Sequence, residues 1–320
     1  MSAETTTTST TGAINASLVQ PTVILALSER PGIAVRVCRE FNGVGQPASA
    51  LKIPKQTSYW GSPADAGAGV DTEFNGPGEA VDASNTEFAL TSVSITPAEY
   101  VVAHQVSQTT SEDIGIDDAA LLSLMTGSML SVLQLALDDD LIGLFASLSQ
   151  GVGATTVDFS LANALDATHG IIRRGANCDA MEYVLDPEQV ANVRTAILSA
   201  AASTAVYNAS ADRMIDFQRT DGATRGAGRV MQLDGCLVTM SGLTDTANAG
   251  ADVVGAAICP STAQNHATGA TTFGLGWKRL PQLEQERHAK SRSTDIVMSM
   301  RAGVAELQDG SGTSITSDAP

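Results

Sequence analysis

Nineteen consecutive residues of this chain, Ala119 to Leu137, carry no charged side chain. Leu122, Met125 and Met129 recur within this stretch at three- and four-residue spacing, which is the period of an α-helix. We predict one continuous helix from Asp117 to about Ser149, a span of roughly 50 Å at ~1.5 Å per residue. The stretch reaches the length of a membrane span. Its internal Ser, Thr and Gln residues and its acidic flanks favour a helix buried in a soluble protein instead.

The charge of the chain is strongly negative and unevenly distributed. Lys and Arg total 18 against 35 Asp and Glu, which gives a formal net charge of −17. Phosphate backbones are bound through cationic side chains, so nucleic-acid binding is not expected to be the main role. Residues 56–172 contain 16 acidic residues and no Lys or Arg. The cations that balance this stretch must come from elsewhere.

A long excursion separates two extended segments in the first third of the chain. Leu51–Pro54 starts one segment, and the β-branched residues of Thr86–Ile95 predict a return strand. Residues 58–85 between them contain five Gly, two Pro and five acidic residues. A structureless loop of this length is unusual inside a compact domain. We therefore predict a two-stranded flap that projects from the body, preceded by an arm that lies outside the core.

The second half of the chain alternates helical and strand patterns. Pro187 follows Asp186 at the first position of a predicted helix, where proline is favoured. Asp234-Gly235 predicts the two-residue turn of a hairpin. The other predicted elements are a helix over Ser160–Arg173, strands over Tyr100–Val106, Met181–Leu185 and Val253–Cys259, and short strands around a charged segment between Phe273 and Thr316.

The sequence carries no recognisable catalytic or metal-binding signature. The GxG pairs, such as Gly43/Gly45 and Gly274/Gly276, do not extend to GxGxxG, so we interpret them as turns. The four histidines lie far apart. The four cysteines, Cys38, Cys178, Cys236 and Cys259, match neither a zinc ribbon nor a redox pair, which predicts free thiols. We therefore expect a protein that is not an enzyme, with no catalytic residue, cofactor or metal.

Asp138, Asp139 and Asp140 form an acidic run late in the predicted helix. Carboxylates that lie together can hold a divalent metal or raise one another's pKa. Consecutive helical residues point about 100° apart, so these three cannot converge on one ion without outside ligands. We interpret the run as a solvated or inter-subunit face, with a metal site as the alternative.

The order of these parts resembles the major capsid protein of tailed double-stranded DNA bacteriophages, which has the Hong Kong 97-type fold. The stretches that carry the resemblance are VSQTTSEDIGIDD before the long helix, LALDDDLIGLFASLS at its end, GRVMQLDGCLVTMSG in the second half, and TDIVMSMRAGVAELQDGSGTSIT near the terminus. The resemblance implies an α+β fold with an N-terminal arm, an extended β-hairpin loop, a long spine helix in a peripheral domain, and an α/β axial domain. The implied boundaries are 1–50 for the arm, 51–98 for the extended loop, 99–156 for the peripheral domain, 157–276 for the axial domain, 277–305 for return strands of the peripheral domain, and 306–320 for a C-terminal segment.

The resemblance also implies a function and a set of partners. The chain would be a structural subunit that self-assembles, through hexamers and pentamers, into an icosahedral capsid around the viral genome. Implied partners are a separate scaffolding protein, a portal, and DNA that is enclosed without sequence-specific binding; no membrane is implied, and the sequence leaves open whether a cement protein covers the exterior. The subunit would assemble in the host cytoplasm and reside in the virion capsid. An encapsulin-like compartment shell is one alternative, and a soluble α/β enzyme or ligand-binding protein is the alternative of a different class.

We expect acidic residues of the flap to contact basic residues near the C-terminus, on the same or adjacent subunits. The candidates are Asp65, Asp71, Glu73, Glu79, Asp82 and Glu87 on the acidic side, and Lys278, Arg279, Arg287, Lys290, Arg292 and Arg301 on the basic side. A second basic group, Arg213, Arg219, Arg225 and Arg229, is an alternative source of cations. A further alternative is that both groups are solvated faces, because an exposed ion pair contributes only ~0.2–1 kcal/mol.

Overall fold

The computed structural model describes residues 32–47, 49–56, 90–107, 118–176, 178, 180–193, 195, 231–233, 236–247 and 250–318. The central part of the predicted flap, most of the predicted arm and the second basic group lie outside the described residues. The helices are α1 (Ile33–Val37), α2 (Asp118–Gly143), α3 (Leu161–Arg173) and α4 (Ala263–Thr268), and residues 187–193 are also helical. The strands are β1 (Arg39–Asn42), β2 (Leu51–Gln56), β3 (Leu90–Ile95), β4 (Ala98–Ser107), β5 (Gly151–Gly153), β6 (Glu182–Leu185), β7 (Met231–Leu233), β8 (Cys236–Met240), β9 (Asp245–Ala247), β10 (Asp252–Ile258), β11 (Phe273–His288), β12 (Ser293–Glu306) and β13 (Gly312–Asp318).

The first sheet has the strand order β1-β11-β12-β4, and α2 packs on one of its faces. Strand β12 is antiparallel to both β11 and β4. Met129, Leu133 and Leu137 recur every four residues along α2 and share a buried cluster with Met298 and Met300 of β12. The structure thus confirms a long helix that continues through Gly127 and packs on the strand near Tyr100–Val106 and the C-terminal strands.

Helix α2 ends at Gly143, six residues before the predicted end at Ser149. A short 3-10 turn over Phe145–Ser147 follows, and the backbone is extended at Leu148. Phe145 and Leu148 are buried, with the Phe145 ring 5.8 Å from that of Phe273. The prediction was wrong here because burying these two side chains requires the chain to turn, and Gly143 is a poor helix residue. In the part of the chain that the structure describes, no helix has the length and apolar character needed to cross a membrane.

Residues 33–42 belong to the body, although the sequence placed them in an arm. The alternating Ile33, Val35 and Val37 lie on helix α1, and Ile33 and Val37 are buried in the same cluster as α2. Strand β1 follows at once and pairs in parallel with Gly274–Trp277 of β11. Alternation over five residues did not distinguish a strand from a helix turn that is buried on one side.

The strands between Phe273 and Glu306 are long, not short as predicted. Strand β11 has 16 residues and β12 has 14, and they form one antiparallel hairpin that closes between His288 and Ser293. Register shifts on either side of Arg279 bend this hairpin. Residues 282–287 are exposed, so the hairpin extends beyond the packed core.

The second sheet follows the order β5-β13-β10-β6-β8-β7, with β9 also paired to β10. All seven residues of β10 are buried, as expected for a central strand. The structure confirms the predicted helix and hairpin: α3 covers Leu161–Arg173, where Ser160 accepts a hydrogen bond from the Asn163 N–H, and Leu233 lies opposite Cys236 across the predicted turn. Local capping and turn chemistry therefore determined these elements.

Two short segments cross the boundaries that the resemblance implied. Strand β13, in the C-terminal segment, pairs with β10 along Gly312–Asp318. Strand β5 was assigned to the peripheral domain, yet it pairs with β13 in the second sheet. The chain therefore ends its described part in the second sheet, and this sheet begins before residue 157.

Two of the four cysteines are paired, which corrects the expectation of four free thiols. Cys178 and Cys259 form a disulfide with their Cα atoms 5.9 Å apart. They are 81 residues apart in sequence, so no local spacing motif revealed the pair. Cys38 is buried, and this burial, reinforced by the nearby Asp138 and Glu40, raises the pKa of its thiol well above its ordinary value.

Asp138 is buried and caps helix α1, so the solvated-face interpretation is wrong for this residue. Its two carboxylate oxygens accept hydrogen bonds from the Gly32 N–H at 2.7 Å and the Ala34 N–H at 2.6 Å. Asp139 is exposed, and Asp140 accepts a hydrogen bond from the Tyr100 hydroxyl. The three carboxylates thus diverge, and no group of residues that could hold a metal ion occurs among the described residues.

We predict that Asp138→Ala lowers the free energy of unfolding of the subunit by about 2–3 kcal/mol, because two main-chain donors lose a charged acceptor. Urea denaturation followed by circular dichroism measures the change. Asp139→Ala is the matched control, since this neighbouring side chain is exposed; its effect should stay within about 0.5 kcal/mol. Equal effects of the two substitutions would contradict the capping role.

Candidate subunit-contact site

The base of the predicted flap is a two-stranded antiparallel ladder. Leu51 of β2 lies opposite Ile95 of β3, and Gln56 lies opposite Leu90. Leu51 and Ile95 are buried, whereas Leu90 is 60% exposed. The ladder therefore runs from the body outwards, which confirms both predicted flap strands. The six acidic flap candidates, Asp65 to Glu87, lie outside the described residues.

Two glycines that face each other in the first sheet form the surface under this ladder. Gly276 of β11 pairs with Gly303 of β12. A Cβ atom on Gly276 would lie 2.6 Å from Leu51 Cδ1, and one on Gly303 would lie 2.7 Å from the carbonyl oxygen of Thr96. Both distances are shorter than a side-chain carbon tolerates to another carbon or to an oxygen atom. The flap base can therefore approach the sheet only because side chains are absent at these two positions.

The structure corrects the interpretation of the Gly274/Gly276 pair as a turn. Gly274 and Gly276 lie within strand β11 and do not form a turn. Gly45, in the other GxG pair, has a φ of 79° and does lie in a turn. Period-two spacing of glycine is compatible with a strand whose one face approaches another backbone closely, and that is the signal that could have identified Gly276.

The pKa of Glu306, the last residue of β12, responds both to the flap base and to the segment that leads into β13. Burial raises the pKa of Glu306, the nearby Asp309 raises it further, and Lys55 of β2 lowers it. Because the pKa in the folded state lies above that in the unfolded state, ionisation of Glu306 at neutral pH opposes folding. Lys55, which belongs to the flap base, lowers this pKa and so reduces the destabilisation.

The six basic candidates separate into two groups. Lys278, Arg279 and Arg301 lie near the flap base and form the inner basic group, while Arg287, Lys290 and Arg292 lie at the far end of the hairpin and form the outer basic group. Arg279 and Arg287 are separated by roughly 27 Å at ~3.4 Å per strand residue. A single contact cannot use all six residues at once.

The inner basic group is engaged within its own subunit. Arg279 forms an ion pair with Glu99 of β4 at 2.5 Å, and Arg301 lies between them in the strand register. The Arg301 Nε donates to the Pro97 carbonyl oxygen at 3.4 Å, and Lys278 donates to the Gln46 carbonyl oxygen. The Arg279 and Glu99 side chains are 37% and 56% exposed, so the pair contributes little to stability.

The outer basic group lies on the exposed end of the hairpin. Arg287, Lys290 and Arg292 are all exposed, and Arg292 has a φ of 48° in the turn. Beside them, His288 Nε2 lies 2.9 Å from Asp295 Oδ2. The three side chains of this group are exposed, whereas those of the inner group are partly buried.

A second contact, which the sequence did not reveal, joins helix α1 to the second sheet. The guanidinium of Arg36 on α1 makes two contacts of 2.6 Å with the carboxylate of Glu182 on β6, and Arg36 also donates to the Thr239 hydroxyl at 2.8 Å. Thr239 in turn donates to Glu182 at 2.6 Å. Glu182 is 2% exposed, and these partners contact both oxygens of its carboxylate. Helix α1 thereby connects Asp138 of the first sheet's helix with the second sheet.

Solved shell structures resemble this arrangement over nearly the whole chain. A protein of Mycobacterium phage Che8 matches with a TM-score of 0.63 and 13% identity, over 93% of this chain and 95% of that one. The head structure of Helicobacter pylori bacteriophage KHP40 matches with a TM-score of 0.62 and 10% identity, over 95% and 94% of the two chains. Many further matched structures are phage major capsid proteins. The chain therefore has the Hong Kong 97-type fold that the sequence suggested.

An encapsulin also shares the fold. The holo-SrpI encapsulin complex of Synechococcus elongatus matches with a TM-score of 0.56 and 10% identity, over 91% of each chain. No family model matches the sequence, and no curated protein matches it by sequence. At these identities the comparisons establish the fold.

We predict that Gly303→Ala destabilises the subunit by about 1–3 kcal/mol, because the new methyl group would overlap the backbone at Thr96 where the flap strand joins β4. Thermal or urea unfolding measures the effect. Gly127→Ala is the matched control: a Cβ there meets nothing within 4 Å, and the site lies in helix α2. It should stabilise the subunit by up to about 1 kcal/mol. The same sign for both substitutions would contradict the close approach at Gly303.

Proposed function

We propose that this chain is the major capsid subunit of a tailed bacteriophage, a structural protein that self-assembles into an icosahedral shell enclosing double-stranded DNA. The observation that carries the proposal is the match of one fold to phage head proteins over more than nine-tenths of both chains.

The geometry supports assembly because several parts extend away from the packed cores. The flap ladder leaves the body at Leu90, and the outer end of the β11/β12 hairpin is exposed along residues 282–287. Such extensions bury little surface within their own chain, so their stabilisation comes from contact with neighbouring subunits. A closed symmetric shell repeats each contact in every subunit, so individually weak contacts become effective.

We assign the outer basic group, Arg287, Lys290 and Arg292, as the leading partner for the acidic flap residues of an adjacent subunit. The exposure of these three side chains and the acidic composition of the flap support this assignment. The inner group, with Arg279 already paired to Glu99, is a secondary contact.

The domain organisation that we propose follows the resemblance with the changes described above. Residues 51–98 form the extended loop, and residues 99–156 and 277–305 contribute most of the peripheral domain. Residues 157–276 form the axial domain, joined by β13 from the C-terminal segment. The arm is restricted to the residues before Gly32, since residues 33–42 pack in the body.

We propose the remaining properties on the same basis. The subunit acts without catalysis, assembles in the host cytoplasm with a separate scaffolding protein and a portal, and ends in the virion. The net charge of −17 supports enclosure of DNA without specific binding, because an acidic inner surface would repel the packaged phosphate backbone.

The encapsulin match favours a second candidate, a shell that encloses protein cargo. The two candidates differ in what the purified particles contain. Electron microscopy of the expressed full-length chain should show closed shells for either candidate. Nuclease-resistant DNA in particles from infected cells supports the capsid, whereas a stoichiometric co-purifying enzyme supports the compartment. A monomeric protein without particles under all assembly conditions would contradict both.

We predict that deletion of residues 61–79 leaves the subunit folded but abolishes closed shells, because the flap ladder remains seated on Gly276 and Gly303 while its projecting part is lost. Negative-stain microscopy measures particle yield. Circular dichroism and thermal unfolding serve as the folding control, and both should match the unmodified chain. Normal particles from the deletion variant would show that the flap is not an assembly element.

We predict that Arg287→Glu with Arg292→Glu lowers shell yield at least several-fold without changing the melting temperature of the subunit, since both side chains are exposed. Adding Glu73→Arg and Glu79→Arg should restore the yield. Arg173→Glu is the control, because Arg173 is an exposed cation on α3, away from the hairpin. Unchanged yield in the first variant, or no recovery in the combined one, would contradict the assigned contact.

A further inference from the structure

We propose that Cys178 and Cys259 form a reversible redox cross-link, present as two thiols in a reducing cytosol and as a disulfide in an oxidising environment. The timing of this change rests on the proposed function, since a capsid subunit is made in the cytosol and leaves it in the released particle. The chemistry itself concerns the isolated subunit as much as the shell.

The backbone places the two residues where a disulfide can form without rearrangement. Their Cα atoms lie 5.9 Å apart, within the usual range of ~4.4–6.8 Å. Cys178 lies in the connection between α3 and β6, and Cys259 directly follows β10. Both side chains belong to the hydrophobic cluster of the second sheet. The cross-link therefore joins a surface connection to the central strand of that sheet.

The hydrogen bonds that position the backbone near the two residues do not involve their sulfur atoms. The Cys259 N–H donates to the Thr272 hydroxyl at 3.0 Å and to the Ser311 carbonyl oxygen at 3.2 Å. At the other side, the Arg174 guanidinium donates to the carbonyl oxygens of Gly310 and Gly312 at 3.1 and 2.9 Å. Cys259, and Arg174 four residues before Cys178, are thus bound to the same C-terminal segment, residues 310–312.

The difference in burial determines which sulfur reacts first. Cys259 is completely buried, whereas Cys178 is partly exposed. Of these two residues, a small disulfide in solution can reach only Cys178. Cys236 is also partly exposed, which is why the Cys236→Ser variant is needed as a control. Cys38 is 1% exposed and its raised pKa keeps it protonated, so it does not compete.

The reaction proceeds as two thiol–disulfide exchanges with a low-molecular-weight disulfide, RSSR. The thiolate of Cys178 attacks RSSR, which forms a mixed disulfide and releases one RS⁻. Cys259, having lost its proton, then attacks the Cys178 sulfur and releases the second RS⁻. In total, two protein thiols are oxidised to one disulfide and RSSR is reduced to two RSH.

The test uses the full-length chain, purified with reductant and then treated with oxidised glutathione. All thiols are blocked with N-ethylmaleimide in denaturant, and the products are identified by intact and peptide mass spectrometry. We expect four blocked thiols before oxidation, two after it, and one cross-linked peptide pair containing Cys178 and Cys259. The oxidised form should melt about 5–10 °C higher than the reduced form, because a long loop is closed. Four blocked thiols after oxidation, a different pairing, or identical melting temperatures would overturn the proposal.

Two variants test the order of attack. Cys259→Ser should retain one glutathione on Cys178, whereas Cys178→Ser should acquire none on Cys259. Cys236→Ser is the matched control and should oxidise like the unmodified chain. Glutathione on Cys259 in the Cys178→Ser variant would overturn the assigned order. Particle formation is scored separately by microscopy, so a failure to assemble refutes the proposed function, while a failure to oxidise refutes only the cross-link.

Discussion

The packing of α2 on the first sheet is the constraint on which the rest of the structure depends. Met129, Leu133, Leu137 and Leu141 place one apolar stripe against β12 and β4. The 19 residues before Asp138 carry no charged side chain, so this part of the helix has no charged face to present to solvent. Its position then determines where its last turns lie. Those turns carry Asp138, which in turn holds the N-terminal end of α1.

Helix α1 transmits this arrangement to the second sheet. It has only five residues, and a helix of this length is not stable in isolation. It exists because Asp138 accepts the Gly32 and Ala34 N–H groups and because Ile33 and Val37 are buried. One turn further along, Arg36 pairs with the buried Glu182 of β6. A small element with weak intrinsic propensity thus couples the two cores, and the loss of either carboxylate would weaken the coupling.

The sequence predicted those features whose cause is local. The period of α2, the helix over Ser160–Arg173, the Asp234-Gly235 turn and the β-branched strands each depend on residues a few positions apart. The features that it did not predict depend on distant residues: Asp138 and Ala34 are 104 apart, Arg36 and Glu182 are 146 apart, and Cys178 and Cys259 are 81 apart. Gly276 and Gly303 could not be paired before the hairpin register was known. In the contact site, the flap strands followed from composition, whereas the division of the basic residues into two groups required the length of β11.

The structure also changes how the acidic stretch is neutralised. The sequence argument required cations from elsewhere for the acids of residues 56–172, yet Asp138 is satisfied by main-chain N–H groups and Asp140 by the Tyr100 hydroxyl. Glu99 does obtain a distant cation, Arg279. Such hydrogen bonds stabilise a carboxylate without a positive side chain. These acidic residues of the body therefore do not need the outer basic group as a partner. The charge of that group remains on the exposed end of the hairpin. Charge in this protein thus occurs in two settings: within the body it fixes the positions of short elements such as α1, and at the end of the hairpin it remains on exposed side chains.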